Sequence, residues 1–300
     1  MKNTITFLCL LFSISAIKAQ NRTTIAFLPI SYDEASINSN EARIVQETIV
    51  NGFVSSKRFT VVDREKLEEI EKEKSLQRTE AFMDSDNTVA DGLGKGANFL
   101  VDGSIIAIRN SEIKKNKWTS SISVQIRMLD VSTGEILSTE TVNSDFIPYS
   151  DDVKKVMKSY YSKDEFKRVE EREDRLEEPS TSSSEAFNIA LMPLSDNIVK
   201  VTRSLFPMPA EIINWNKKKK DEFTFGAGHA AGVQIGQIMD VVKSSTVAIG
   251  EKDLQRNEIV GSAWVIRVDD QNFSVATLIN NQKDIKKAIK KGEPISVLIR

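Results

Sequence analysis

The sequence predicts an α/β domain, a layered sheet with flanking helices, followed by a small all-β domain that resembles a barrel. Three observations support this fold class. Apolar strand patterns alternate with helical patterns up to residue 108, and a hairpin pattern follows at 121–142. From residue 209 onward only short strand patterns and Gly or Asn turns occur. Alternating strands and helices are typical of layered α/β folds, and closely spaced short strands are typical of small barrels.

The first residues, 1–19, have the layout of a signal peptide. Lys2 gives a positive start, an apolar run follows, and Ala19 precedes the predicted cleavage point. The run is shorter than the roughly 20 apolar residues that a membrane-spanning helix needs. The only cysteine, Cys9, lies inside the run, too early for a lipidated cleavage site. We therefore expect a periplasmic protein that is not a lipoprotein and has no thiol after cleavage.

The α/β domain is expected to cover residues 20–206. Apolar runs bounded by turn residues predict its strands, and apolar residues three and four positions apart predict its helices. The predicted strands are 23–30, 59–63 and 99–108, followed by a hairpin of 121–129 and 136–142. The predicted helices are 40–56, 64–74 and a short one at 88–94.

A change of composition marks an insertion at 163–184 in this domain. From Lys163 to Glu178, 13 of 16 residues are charged. This pattern predicts a hydrated helix, and the Ser-rich segment 179–184 predicts a flexible break after it. Apolar residues at helical spacing follow from Phe187 to Leu205. We expect that helix to pack on the first domain, with a helix-in-groove contact to a partner as the alternative.

The second domain is expected to cover residues 207–300 and to form the small barrel. Trp215 and Trp264 are predicted to fill its core, although an exposed Trp would instead mark a partner surface. His229, within a Gly-Ala-Gly-His-Ala-Ala-Gly segment, is predicted to be a turn residue. The predicted strands are 210–215, 221–225, 238–242, 264–268, 273–279 and 294–299.

Two groups of charged residues are candidates for interaction. The first is a run of four lysines at a predicted hairpin tip. These lysines could bind an anionic head group or a glycan. We favour the alternative, a solvated tip whose charge keeps the strand edge from aggregating. The second is Asp63 and Arg64, which either form an intersubunit ion pair or, as we favour, place Asp63 as a helix N-cap. The four lysines are Lys217, Lys218, Lys219 and Lys220.

The sequence lacks the residues that several kinds of catalytic or binding site need. With His229 as the only histidine, neither a histidine-dependent triad nor a zinc site is expected. The segment Gly92–Gly96 ends a predicted helix and precedes a strand, the reverse of a phosphate-binding loop. The formal net charge is −2, or about −4 without the two leader lysines, which does not favour nucleic acid. We expect no catalytic residue, metal, cofactor or small-molecule substrate.

Three motifs carry a resemblance to a known family. They are Phe-Thr-Val-Val-Asp-Arg from Phe59, Ala-Asn-Phe-Leu-Val-Asp-Gly-Ser-Ile from Ala97, and Val-Ser-Thr-Gly-Glu-Ile-Leu-Ser from Val131. Over about 23–142 and 187–205 the chain resembles the CsgG-type curli production assembly and transport family. The C-terminal region is similar to the last domain of the flagellar assembly protein FlgT, through its turns at Gly228, Gly232 and Gly236. The first resemblance implies a non-enzymatic subunit that assembles at the outer membrane and aids export of fibre subunits.

The chain departs from that family where the family inserts its membrane-spanning hairpins. The first insertion point, 109–118, contains five charged residues, and the second contains the charged run 163–178. A charge facing lipid costs about 2–4 kcal/mol near the bilayer midplane. We therefore expect an adaptor or ring component that forms a homo-oligomer, binds envelope proteins and contacts the outer membrane only peripherally. The alternative is an outer-membrane secretion pore subunit; an envelope hydrolase is less favoured because no carboxylate pair lies in a recognisable apolar pocket.

Overall fold

The computed structural model describes residues 22–63, 96–216, 218–219, 221–249 and 252–300. Within these residues an α/β sheet with flanking helices is followed by a closed six-stranded barrel, which confirms the predicted fold class. The predicted leader, the predicted helices at 64–74 and 88–94, and most of the Gly92–Gly96 segment lie outside the described residues.

Five strands form the first sheet in the order β2-β1-β3-β4-β5. Strand β1 runs parallel to β2 and β3, while β3, β4 and β5 are antiparallel neighbours. Parallel strands need a crossover, and the helix α1 lies between β1 and β2 in the chain. In the part of the chain that the structure describes, β2 and β5 are the two edges of this sheet. The strands are β1 (Thr23–Phe27), β2 (Phe59–Val62), β3 (Phe99–Lys114), β4 (Lys117–Asp130) and β5 (Ile136–Asn143), and α1 is Ser39–Ser56.

The described residues of this first half of the molecule form four helices. Helix α1 packs against α4, and their apolar residues share one core with the inner face of the sheet. A Cβ atom at Gly52 of α1 would lie 2.6 Å from Cγ2 of Ile198 in α4, so only glycine permits this close approach. The prediction that the 187–205 stripe packs on the first domain is confirmed. The other helices are α2 (Asp151–Tyr160), α3 (Lys163–Glu177) and α4 (Ser183–Leu205).

The charged helix α3 is present as predicted and begins with a capping box between Ser162 and Glu165. The segment after it differs from the expected flexible break. Ser180 exchanges two backbone hydrogen bonds with Trp118, each with an N···O distance of 2.8 Å, and Ser182 caps α4. Local composition favoured an open loop, but pairing with a hairpin far away in the sequence holds the segment instead.

The barrel closes through the strand order β10-β7-β6-β11-β8-β9. Its core contains Phe223, Phe225 and Val241, with Ile285 from a covering helix, α5. Beyond the predicted strands, β8 and β9 continue as a two-stranded ribbon that β11 does not pair with. The elements are β6 (Met208–Trp215), β7 (Glu222–Phe225), β8 (Ile238–Ile249), β9 (Lys252–Val268), β10 (Ser274–Leu278), α5 (Gln282–Lys290) and β11 (Ile295–Ile299).

The two tryptophans predicted for the barrel core have different positions. Trp215 is partly buried against that core, as predicted. Trp264 is fully buried but outside the barrel, in a third cluster with Met157 and Phe166, so this prediction was wrong. Its neighbours Ala263 and Val265 face the barrel interior, and successive strand residues point to opposite faces. Trp264 therefore packs α2 and α3 onto the outside of the barrel.

Candidate interaction surfaces

Arg58 lies where the sheet and the barrel meet. Its Nε donates a hydrogen bond to the carbonyl oxygen of Phe206 (2.8 Å), Nη1 to that of Ala231 (3.0 Å), and Nη2 to that of Ile299 (2.8 Å). The side chain is buried, and no carboxylate pairs with it among the described residues. One guanidinium group thus joins the end of α4, a barrel loop and the strand β11.

Two further arginines bind the same barrel loop. Nη2 of Arg203 donates a hydrogen bond to the carbonyl oxygen of Gly232 (2.8 Å), and Arg22 donates one to that of Ala230. Burial lowers the pKa of Arg203, and burial together with these two charges lowers the pKa of Arg58 to about 10. Arg58 therefore stays charged at neutral pH.

The loop that these arginines bind depends on three glycines. A Cβ atom at Gly228 would lie 2.1 Å from the carbonyl oxygen of Asp270, and one at Gly232 would lie 2.8 Å from Cβ of Lys57. At Gly236, with φ +86°, it would lie 3.3 Å from the Tyr161 hydroxyl. Each glycine thus permits a close approach to a different part of the chain. His229 forms a short 3₁₀ turn in this loop and is exposed, as predicted for a turn residue.

Lys218 and Lys219 lie in the turn between β6 and β7 and are exposed; Lys217 and Lys220 lie outside the described residues. Nζ of Lys219 lies 2.9 Å from Oε1 of the buried Glu222 and 5.3 Å from the centre of the Tyr160 ring. The ammonium group of Lys219 is thus bound within the protein, and Lys218 has no ion pair in the described part of the chain.

Glu222 connects this turn to α2. Burial acts to raise its pKa, but hydrogen bonds from Lys219, Tyr160 and Asn216 outweigh burial, so that the pKa lies below its usual value. The Tyr160 hydroxyl donates to Oε1 at 2.8 Å. Glu222 did not stand out in the sequence, because nothing in the local pattern indicates that α2 would lie against it.

The outer part of the β3–β4 hairpin contains 109–118, the first of the two charged segments that were predicted not to enter a membrane. Beyond Ile108 and Ile122, β3 and β4 pair with each other, and the one further backbone pairing among the described residues is the bridge between Trp118 and Ser180. One face of this part carries Asn110, Glu112, Trp118 and Ser120; the other carries Arg109, Ser111, Thr119 and Ser121. Paired residues of an antiparallel ribbon share a face, and neither face here forms an apolar stripe.

The second segment is the charged run, which forms the helix α3. Within it Glu173 is buried, accepts a hydrogen bond from the backbone N–H of Tyr149 (2.7 Å) and pairs with Nζ of Lys154 (2.7 Å). The Lys154 pKa is raised by this pairing. None of the helices in the described part of the chain combines the length and apolar composition that a bilayer crossing requires.

A groove of about 400 Å³ runs between the edge strand β5 and α4. Asn197 of α4 donates hydrogen bonds from Nδ2 to the carbonyl oxygens of Asn143 and Asp145, both at 2.9 Å. Ile147 lies beside the groove with 69% of its surface exposed, and Leu137 of β5 is 50% exposed. The combination of an unpaired strand edge and exposed apolar side chains is suited to contact with another polypeptide.

Asp63 follows β2 and is exposed, whereas Arg64 lies outside the described residues. The favoured role of Asp63 as a helix N-cap and the alternative, an intersubunit ion pair with Arg64, both stay predictions. Sequence reasoning missed Arg58 and Arg203, as it missed Glu222. A buried arginine that binds only backbone carbonyls leaves no sequence signal, since its partners can have any side chain.

Comparison with known proteins gives one family match. The model of the curli production assembly/transport component CsgG matches residues 12–160. Among curated proteins, none matches the chain. The family match ends before the barrel, so the similarity of the C-terminal domain to FlgT stays a prediction.

Three solved structures illustrate the structural likenesses. The hypothetical protein CT253 from Chlamydia trachomatis has 16% identity and a TM-score of 0.32, covering 61% of this chain and 96% of its own. Lipoprotein GNA1162 from Neisseria meningitidis has 12% identity and a TM-score of 0.27, covering 40% and 81%. The PelC dodecamer from Paraburkholderia phytofirmans has 11% identity and a TM-score of 0.25, covering 40% and 69%. Likenesses this weak do not extend to function.

Proposed function

Because this chain belongs to the CsgG family through its residues 12–160, we propose that it is a non-enzymatic, periplasmic adaptor or ring subunit of a curli-type assembly and transport system. It binds protein partners in the envelope and contacts the outer membrane peripherally, without inserting a hairpin. The family match supports a role in assembly or transport. The adaptor role is our proposal.

The observation that carries the adaptor role is the polarity of the β3–β4 hairpin. A strand that crosses a bilayer needs about 9–11 residues with one apolar face. Beyond Ile108 the hairpin has only the six residues 109–114 on the β3 side, and Arg109 and Glu112 lie on opposite faces. Either face would therefore bring a charge into lipid. This supports a hairpin that stays in water.

The β5 groove supports self-association, with a second copy of this chain as the occupant. Strand β5 is an edge, and edges with exposed apolar side chains pair readily with other chains. The second edge of the sheet is β2. If β5 of one copy contacted β2 of the next, the copies would be joined head to tail. Contacts of this kind close into rings when the rotation between copies allows it.

Thiol labelling in cells tests whether the hairpin crosses the membrane. Cys9 lies in the predicted leader, so one cysteine introduced by Ser111→Cys is expected to be the only thiol of the exported protein. Ser159→Cys, on the exposed surface of α2, is the matched control. We expect a maleimide that crosses the outer membrane but carries a charge to label both variants equally. The pore subunit would be supported by a different result. In that case the charged reagent labels Ser159→Cys but not Ser111→Cys, whereas a lipid-soluble maleimide labels both.

Washing the membrane fraction separates the same alternatives independently. An adaptor is released from membranes by high salt without detergent, whereas a pore subunit needs detergent. Cross-linking in intact cells followed by purification then identifies partners. Recovery of outer-membrane export proteins supports the transport role, and cross-links to peptidoglycan-processing proteins alone would contradict it.

A further inference from the structure

Two basic segments far apart in the sequence meet on the outside of the barrel. Nζ of Lys286 in α5 forms an ion pair with Asp221, which directly follows the lysine turn. The backbone N–H of Leu278 donates a hydrogen bond to the carbonyl oxygen of Asp221 (3.0 Å), which fixes the turn beside the end of β10. The fold thus brings the β6–β7 turn next to α5. We call the resulting surface the lysine face; its described members are Lys218, Lys219, Lys283, Lys286, Lys287, Lys290 and Lys291.

Helix α5 has one apolar side and one cationic side. Ile285 is fully buried in the barrel core and Ile289 packs against it. The lysines at positions 283, 287, 290 and 291 follow the spacing i, i+4, i+7 and i+8, and all four are exposed. That spacing places them along one side of a helix. The apolar side of α5 is occupied by the barrel, and the cationic side faces solvent.

Most of the positive charge on this face is not neutralised. Lys219 pairs with Glu222 and Lys286 with Asp221, and the nearby Glu293 is bound by Lys243 at 2.7 Å. The exposed Asp284 is the further acid in α5. Among the described residues, no ion pair involves the remaining cations, although the chain as a whole has a formal net charge of −2. The unpaired cations are Lys218, Lys283, Lys287, Lys290 and Lys291.

We infer that the lysine face binds an anionic phospholipid surface. The cations are all lysines, whose compact charges on flexible stems suit a diffuse layer of head groups, whereas a single carboxylate or phosphate is better recognised by the planar fork of arginine. Residues 282–291 contain no aromatic side chain that would anchor a specific peptide or sugar. Because Ile285 and Ile289 are used inside the barrel, the attraction is electrostatic, reversible and sensitive to salt.

Co-sedimentation of the purified protein with vesicles tests this inference. We expect binding to vesicles of phosphatidylcholine and phosphatidylglycerol in equal parts, and none to phosphatidylcholine alone. Each lysine near an anionic surface strengthens binding roughly five-fold, so the triple variant Lys283→Gln, Lys287→Gln, Lys290→Gln is expected to bind about 100-fold more weakly. Glutamine retains the helix preference of lysine, and circular dichroism and the unfolding midpoint check that the variant is folded.

The matched control removes the same charge from the tip of the β3–β4 hairpin. Lys114→Gln, Lys115→Gln, Lys117→Gln is expected to bind vesicles as the unaltered protein does. Equal loss in both triple variants would overturn the assignment to the lysine face, and so would no binding by the unaltered protein. Binding to polyglutamate or to an acidic polysaccharide but not to vesicles would assign the face to a protein or glycan and reject lipid. The inference is independent of the proposed export role, since the vesicle assay uses no export partner.

Discussion

Nη2 of Arg58 donates a hydrogen bond to the carbonyl oxygen of Ile299 at 2.8 Å, which connects the residue before β2 to the end of the barrel strand β11. The same guanidinium also binds Phe206 and Ala231 through their carbonyl oxygens. The sheet and the barrel are therefore joined by a charged group whose partners are all backbone atoms.

Replacing Arg58 is expected to weaken this junction. Arg58→Met removes the donors of four hydrogen bonds, the three above and a longer one to the carbonyl oxygen of Ser56 (3.5 Å). It leaves carbonyl oxygens at the junction unpaired, which we expect to lower the free energy of unfolding by about 2–4 kcal/mol. Urea unfolding followed by circular dichroism measures the change. Arg43→Met, at an exposed position on α1, is the control and should change stability by less than about 0.5 kcal/mol. Equal stability of the two variants would contradict the role of Arg58.

Alanine substitutions at Gly232 and Gly134 distinguish the free-energy cost of a positive φ angle from the cost of a steric contact. The φ angles of the two glycines are nearly equal, +73° and +74°. A Cβ atom at Gly232 would lie 2.8 Å from Cβ of Lys57, whereas one at Gly134 would have no atom of the described residues within 4 Å. We expect Gly134→Ala to cost about 1 kcal/mol for the left-handed conformation, and Gly232→Ala to cost about 1–3 kcal/mol more. The difference between their unfolding free energies is the measurement. A difference near zero would mean that the loop moves away from α1 without cost.

Glu222 is expected to contribute a stability that disappears in acid. Its pKa in the folded protein lies below the usual value of 4.5, so its contribution is complete above pH 4.5 and is lost as the pH falls towards the folded value. Glu222→Gln should therefore have a lower melting temperature than the unaltered protein at neutral pH, and the gap should narrow in acid. Glu211→Gln, at an exposed position on β6, is the control. If the difference in melting temperature stays constant down to pH 3, the charge of Glu222 is not the cause of the lost stability.

The groove at β5 leads to a prediction on oligomer size. The double variant Leu137→Lys, Ile147→Lys changes two exposed apolar side chains to cations, one on the edge strand β5 and one lining the groove. If copies associate there, the double variant should have a lower mass by light scattering than the unaltered protein at the same concentration. Ile213→Lys, an equally exposed apolar position on the barrel, is expected to keep the original mass. An unchanged mass in the double variant, or a monomeric unaltered protein, would contradict self-association through this groove.

The sequence predicted those helices and strands whose apolar pattern is visible within the element itself. The strands of the sheet, the helix α1 and the stripe of α4 each have a regular apolar period, because one face of each is buried. Helix α5 was missed since its nine residues are mostly lysine and polar, and its two isoleucines become meaningful only when the barrel covers them. The β8–β9 ribbon was missed because backbone pairing, and not an apolar face, continues both strands beyond the barrel.

The position of Trp264 could not be predicted from its neighbours. Residues 263–265 are all apolar, so that both faces of β9 read as buried, and the sequence does not say which face belongs to which core. The candidate surfaces depend on similar long-range placement. The lysine run was visible in the sequence, but its proximity to α5 depends on the Lys286–Asp221 pair.

The position of β11 has a consequence during folding. This strand pairs with both β6 and β8, so until residues 295–299 are in place the barrel has two unpaired strand edges. The guanidinium of Arg58 lacks its Ile299 acceptor for the same period. A product truncated by a premature stop codon before Ile295 would therefore lose both barrel closure and the hydrogen bond from Arg58 to Ile299. We expect proteases that degrade incompletely folded chains to cleave it.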